Sequence, residues 1–202
     1  SIGQVLLGYW LLKAAAELPA PRDAELRAPA LALIRAWDRY AYDPGRKGFT
    51  PWLNTDGTRS RPFEALNPWR VAYGPGDILR VGRVAAYAAR TAGDAGAVEI
   101  ARRVAAVARA TPLPEEVTAE AVGFAMHLSL DLHELTGDAA FVTDALHYAR
   151  QGLYRFWAGG LCSGVAYGQF YEAKVGVGDF ISALLRLHLA EQGRPGTFDW
   201  SF

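Results

Sequence analysis

The 202-residue sequence has a single cysteine, Cys162, which excludes an intrachain disulfide and a cysteine-built zinc site. It has no net charge, since 21 Lys and Arg balance 21 Asp and Glu. That balance argues against bulk attraction to nucleic acid or to an anionic membrane. Its apolar stretches are broken by Lys13, Arg35 or Asp38, so nothing reads as a membrane span. Residues 1–4 show neither a basic n-region nor a small-residue cleavage site. No Walker-type loop or dinucleotide fingerprint occurs, because no strand precedes the glycines of "GVGDF". The four histidines match no HExxH-type spacing, so no metal site and no cofactor are expected. His127 reads as a core group, and His133 and His147 as outer-surface residues. Cys162 has no His–Asn arrangement around it, and a nucleophilic thiol is not expected.

What is present is a helical chain. Hydrophobic residues make up 51% and charged residues 21%, which predicts a packed core. Helical spacing begins at Val5, Leu6, Tyr9 and Leu12 and stops at Pro19 and Pro21. Asp23 is expected to cap a second helix, with Leu26, Ala30, Ile34 and Trp37 on its apolar side. Further helices are predicted near 76–91, 95–110, 116–135 and 139–156, and a last one ending near 191. No segment reads as a strand. Residues 44–73 form a long loop carrying Phe49, Trp52, Phe63 and Trp69, and that aromatic content predicts order and function. A second special loop spans 157–172. The chain begins without Met and already inside a helical pattern, so it is expected to be a processed product or a piece of something longer.

An internal repeat organises these helices. Aligning Gly93, Gly137 and Gly193 superimposes "GDILRVGRVAAYAARTAGD", "AEAVGFAMHLSLDLHELTGD" and "VGVGDFISALLRLHLAEQG". Each is rich in Ala, Gly and aliphatics, as an inner, close-packed helix should be. "TAGD" and "LTGD" both place Gly at a helix C-terminus and Asp before the next helix. The predicted unit is a helical hairpin of roughly 45–55 residues, a size that stacks into solenoids or closes into rings.

Hairpins of this kind, the "ELTGD" turns, the aromatic loops and "FYEAKVGVGDFISALLRL" resemble the six-hairpin (α/α) toroid superfamily. That superfamily holds glycoside hydrolases, polysaccharide lyases and sugar epimerases. The resemblance implies an all-α fold of repeated hairpins. A full ring needs about twelve helices and about seven are predicted here, so the chain looks like half to two-thirds of a toroid. Residues 1–202 are expected to form one toroid-like domain, the C-terminal part of a larger barrel, with a second chain or segment completing it. A secreted or periplasmic setting is the expectation.

In such toroids the starts of the inner helices line one mouth of the barrel. The alignment places Asp77, Glu120 and the Glu172/Asp179 region at equivalent starts, although the helix dipole favours acids there in any protein. Tyr171, Glu172, Asp77 and Glu120 are the candidate catalytic residues. Asn67, Trp69, Arg70 and Tyr73 of "NPWRVAYGPGD", with Trp52, Tyr167 and Lys174, are the candidate substrate-binding residues. Aromatic rings offer stacking faces to sugars, and Arg70 suits a uronate carboxylate. Equally, Pro68-Trp69 can anchor the loop to the core. Loop 44–80 carries a mild basic excess, which orders the chemistries: β-elimination on a uronate-containing oligo- or polysaccharide first, hydrolysis by a carboxylate pair second. A non-catalytic glycan- or protein-binding scaffold is the third reading. Epimerisation usually relies on a His pair at the mouth, and none is placed here.

Overall fold

The computed structural model describes residues 2–69, 78–158, 160–166 and 176–194. Among them are seven α-helices: α1 (Ile2–Ala16), α2 (Arg22–Ala41), α3 (Ile78–Ala92), α4 (Ala95–Ala110), α5 (Ala119–Thr136), α6 (Ala140–Phe156) and α7 (Val177–Glu191). The fold is all-α, as the periodicity predicts. Two compact units divide it, one holding α1–α4 and the other α5–α7 together with Trp69.

The glycines that align the repeat behave alike. Gly93, Gly137 and Gly193 take φ of 66°, 71° and 68°, the left-handed conformation that ends a helix without steric cost to glycine. Asp94 then caps α4, its side chain accepting from the Ala97 amide at 3.1 Å. Asp138 acts similarly at α6, accepting from the Ala140 amide at 2.9 Å, although Ala139 is the terminal flanking residue. Asp23 is not the cap of α2. It sits inside the first turn, Pro21 precedes the helix, and no side chain caps it.

In the first unit α1 packs on α2, α3 on α4, and α1 on α3. The Tyr9 and Tyr87 rings meet edge-on at 5.1 Å across α1 and α3. Arg35 of α2 pairs with Asp94 at the start of α4, and Arg103 of α4 donates to Asp38 at 2.5 Å. Because both numbers of each pair rise together, α2 and α4 run parallel. Burial raises the Asp38 carboxyl above the usual carboxylate range, against the pull of Arg103.

In the second unit α5 packs on both α6 and α7. Gly176 lies against Glu120, Gly123 against the Asp179 carbonyl carbon, His127 beside Ser182, and Asp131 beside Arg186. These pairs also rise together, so α5 and α7 are parallel neighbours. Their spatial register at the N-termini, 120 against 176 and 123 against 179, is the register of the sequence repeat. Phe180 is fully buried, edge-on to Phe156 at 5.3 Å and seated on the bare Gly152. Burying such a ring contributes about 1.5–3 kcal/mol.

Short strands appear where none was expected. β1 (Tyr42–Asp43) pairs antiparallel with β2 (Gly48–Phe49), and β3 (Trp157–Ala158) with β4 (Leu161–Cys162). Two-residue pairs carry no alternation to read. Instead local chemistry makes the first turn: Asp43 Oδ1 accepts from the Gly45 and Arg46 amides at 3.0 and 3.1 Å. Its Oδ2 accepts from Arg59 at 2.8 Å. Phe49 is buried and stacks on Trp37 at 4.9 Å, tying this loop to α2.

Candidate functional site

Connection length is unequal at the two ends of the hairpins. Short turns, residues 17–21, 93–94 and 137–139, join α1 to α2, α3 to α4 and α5 to α6. Residues 42–77 and 157–176 join α2 to α3 and α6 to α7. Within each unit, therefore, the long connections sit at the end where the inner-type helices begin. Long loops on a rigid scaffold are where binding and catalytic groups collect.

In the second unit that end is firmly built. Thr118 caps α5, accepting from the Ala121 amide at 3.3 Å, and pairs antiparallel with Val165. The Ala119 amide donates to Gly164 and the Ala166 amide to Val117, both at 2.9 Å. Arg155 holds the Pro114 carbonyl at 2.9 Å. Glu120 stands two residues after the cap, half-buried in the first turn of α5 and shielded on one side by Gly176. Glu120 thus stands beside the start of α7, the neighbouring parallel helix that carries Asp179 in its first turn.

The same end exposes aromatic and apolar surface that sequence reading overlooked. Tyr154 is 77% exposed, Trp157 49% and Leu161 61%. Trp157 opens the second special loop, and its position in that loop was the available signal. Cys162 lies opposite Trp157 in the β3–β4 pair, and burial pushes its thiol pKa up, the opposite of an activated nucleophile.

Of the other named residues, Tyr171, Glu172, Tyr167, Lys174, Asp77, Arg70 and Tyr73 lie outside the described residues. Trp69 is 2% exposed, with its ring edge-on to Tyr148 at 5.5 Å, so it packs in the second unit and presents no open face. That is the anchoring role of Pro68-Trp69. Asn67 is exposed and belongs to the first unit. Trp52, also in the first unit, is 37% exposed. Its ring lies 4.4 Å from the Arg61 guanidinium, and its Nε1 donates to Glu64 at 3.3 Å. Arg46 and Arg59 stand over the Phe63 ring at 4.8 and 5.1 Å. Arg46, Arg59 and Arg61 of this loop are therefore laid on aromatic rings, where the ring quadrupole attracts them.

A charged seam was also missed. Arg186 is 2% exposed and donates to Asp131 and Glu134, both at 2.7 Å. Burial alone would lower its pKa, but the two carboxylates outweigh burial and raise it. Arg186 also approaches His127 Nδ1 at 3.5 Å, so that nitrogen acts as acceptor and Nε2 donates to Ser182 Oγ at 3.1 Å. The cluster clamps α5 to α7 and is not arranged as a nucleophile–base pair. Among the described residues no three His, Cys, Asp or Glu side chains gather as metal ligands would, and no helix is long and apolar enough to cross a membrane.

No family model matches the chain, and no curated protein matches it significantly.

Proposed function

We propose that the protein is a carbohydrate-active enzyme of the (α/α) toroid type that cleaves a uronate-containing oligo- or polysaccharide by β-elimination. The observation that carries the reading is that, in the second unit, the long connection 157–176 and Glu120 lie at the end where α5 and α7 start. The aromatic-backed Arg46 and Arg61 support an acidic substrate, whereas Arg59 is already paired with Asp43. In this reading Tyr171, as the phenolate, removes the proton beside the uronate carboxyl while Arg70 or Lys174 neutralises that carboxylate. The C–O bond at the β carbon then breaks and its oxygen takes the proton from Tyr171, with Glu120 and Glu172 binding and orienting the sugar. Asp77 is a further candidate catalytic acid. Trp52, Asn67, Tyr73 and Tyr167 contribute binding surface. A further chain or segment completes the ring.

One observation favours a second reading, hydrolysis. Glu120 and Asp179 stand in the first turns of adjacent parallel helices, the arrangement from which a carboxylate pair is built. Retention needs the two carboxyls about 5–5.5 Å apart and inversion about 6.5–9.5 Å.

The test is incubation with polygalacturonate, alginate and a glucuronate-containing glycan. Elimination creates a carbon–carbon double bond conjugated to the carboxylate, read as new ultraviolet absorbance. Reducing ends without that chromophore point to hydrolysis. Binding without either product leaves the scaffold reading.

A further inference from the structure

A hollow of about 310 Å³ opens in the first unit between the start of α1, the last turns of α2 and residues 53–57. From its lining we infer a binding site for a small, neutral, hydroxyl-bearing ring, a single saccharide unit. The inference goes beyond the proposed cleavage reaction and uses none of its catalytic residues.

Three features point to that ligand class. First, the lining holds no charged side chain: its polar groups are the amides of Gln4 and Asn54 and the hydroxyls of Tyr40 and Thr55. A carboxylate or phosphate would find no counter-charge on these walls. Arg39 stands 5.6 Å from the Tyr40 ring centroid but is not part of the lining. Second, the apolar wall is aromatic. Tyr40 is 42% exposed with Gly57 packed on its ring, and Trp37 is buried and stacked on Phe49, so the uncovered part of the Tyr40 ring is the apolar surface open to the C–H groups of a sugar. Third, polar atoms are left over. The Asn54 amide nitrogen is used on Thr58 at 2.9 Å, while Asn54 Oδ1, the Thr55 hydroxyl and the Tyr40 hydroxyl make no hydrogen bond to another described residue. Together they offer one acceptor and two donor–acceptor groups beside the exposed part of the Tyr40 ring.

The wall formed by residues 53–58 is organised in advance of any ligand. The Asn54 amide donates to Thr58 O at 2.8 Å, the Gly57 amide to Asn54 O at 3.0 Å, and the Thr58 hydroxyl to Asp56 at 2.6 Å. Leu53 pairs antiparallel with Arg59. Gly57 takes φ of 85° and sits on the Tyr40 ring, where a Cβ would stand 2.5 Å from a ring carbon. Only glycine permits that approach, and it holds loop and ring in one arrangement. Such order lowers the entropic cost of binding. The volume is at the lower end of ligand pockets, about 300–1,000 Å³, which fits one ring better than a chain.

The probes are D-glucose, D-galactose and N-acetylglucosamine, with D-glucuronate and myo-inositol as comparison arms. They are read by saturation-transfer NMR and by tryptophan fluorescence on the whole chain. The expected result is a dissociation constant of about 1 mM for at least one neutral sugar, the range reached by hexose-sized ligands at ordinary efficiency. Thr55→Val, an exposed change outside the helices, is expected to weaken it about threefold or more, the size of one lost hydrogen bond. Tyr40→Leu is expected to abolish it, with folding checked by circular dichroism. Absence of binding by all three neutral sugars, equal or tighter binding of glucuronate, myo-inositol in place of any sugar, or affinity unchanged by Thr55→Val would overturn the assignment. No turnover is needed, so this result and the cleavage assays stand or fall separately.

Discussion

Gly176 lies so close to Glu120 that a methyl group on the glycine would stand 2.6 Å from the glutamate Cα. The contact sets the start of α7 against the start of α5, and the glycine also takes φ of 75°. Both facts require a residue without Cβ. They explain why the stretch before α7 thins to glycine just where the apolar run begins. Gly176 is the flanking residue that lets two parallel helix starts touch.

Gly176→Ala is accordingly expected to destabilise the fold by about 1–3 kcal/mol, from overpacking and the left-handed backbone together. Chemical denaturation measures it. Gly178→Ala is the control, since a Cβ there meets nothing within 4 Å. A Gly176→Ala protein as stable as that control would contradict the contact.

Arg186→Met is expected to cost about 3–5 kcal/mol, because it strips a fully buried carboxylate, Asp131, of its guanidinium. Arg186→Met with Asp131→Leu should recover much of the loss, since it removes both fully buried charges and leaves only Glu134, 27% exposed, deprived of Arg186. The comparison of single and double variants by urea unfolding decides the matter. An additive double would show that the two side chains do not act as a pair.

Glu120→Gln keeps the shape of the α5 start and removes a charge. On the proposed function it should lower kcat by about 10²–10⁴-fold if Glu120 transfers a proton, and raise KM if it only binds substrate. Circular dichroism is expected to be unchanged. Kinetics indistinguishable from the parent chain would remove Glu120 from the site.

The pH dependence of the loop at 42–49 follows from Asp43. The Arg46 amide and then the Arg59 guanidinium hold its carboxyl below the ordinary 3.8. A depressed acid contributes stability that is present above the unfolded value and is lost as pH falls through the folded one. Asp43→Asn should therefore melt below the parent at pH 7, and the gap should close below about pH 3.8 as both become neutral. A gap that stays constant down to acid unfolding would show that the charge is not responsible.

Asp94→Ala removes both the cap of α4 and the partner of Arg35. Loss of the cap alone costs about 0.5–2 kcal/mol. Thermal unfolding of Asp94→Ala and Arg35→Ala separates the two roles, with the larger drop expected for Asp94→Ala.

Much of the fold was legible along the chain. Gly93, Gly137 and Gly193 each stand where a helix must end in the left-handed conformation, and glycine adopts it freely. The helices between them carry the 3.6-residue spacing that burial of one face imposes. The strands were not legible, because Tyr42–Asp43 and Gly48–Phe49 are too short to show a period and are made by the Asp43 side chain. Nor was the start of α2, where Asp23 has the right composition but lies within the first turn, two residues past Pro21. At the candidate site, Glu120 was legible from the repeat. The exposure of Tyr154 and Trp157 was not, since an aromatic residue reads the same in a core and on a rim.

By itself the sequence determined the helices, their pairing into hairpins and the register of α5 on α7, because local backbone preference and periodic burial are written residue by residue. Only the tertiary structure decided that Trp69 is buried, that Arg186 finds Asp131 across two helices, and that Tyr40, Asn54 and Thr55 share one hollow. Those outcomes depend on which distant side chains the packed helices bring within contact, a property of three-dimensional proximity that no single stretch of chain encodes.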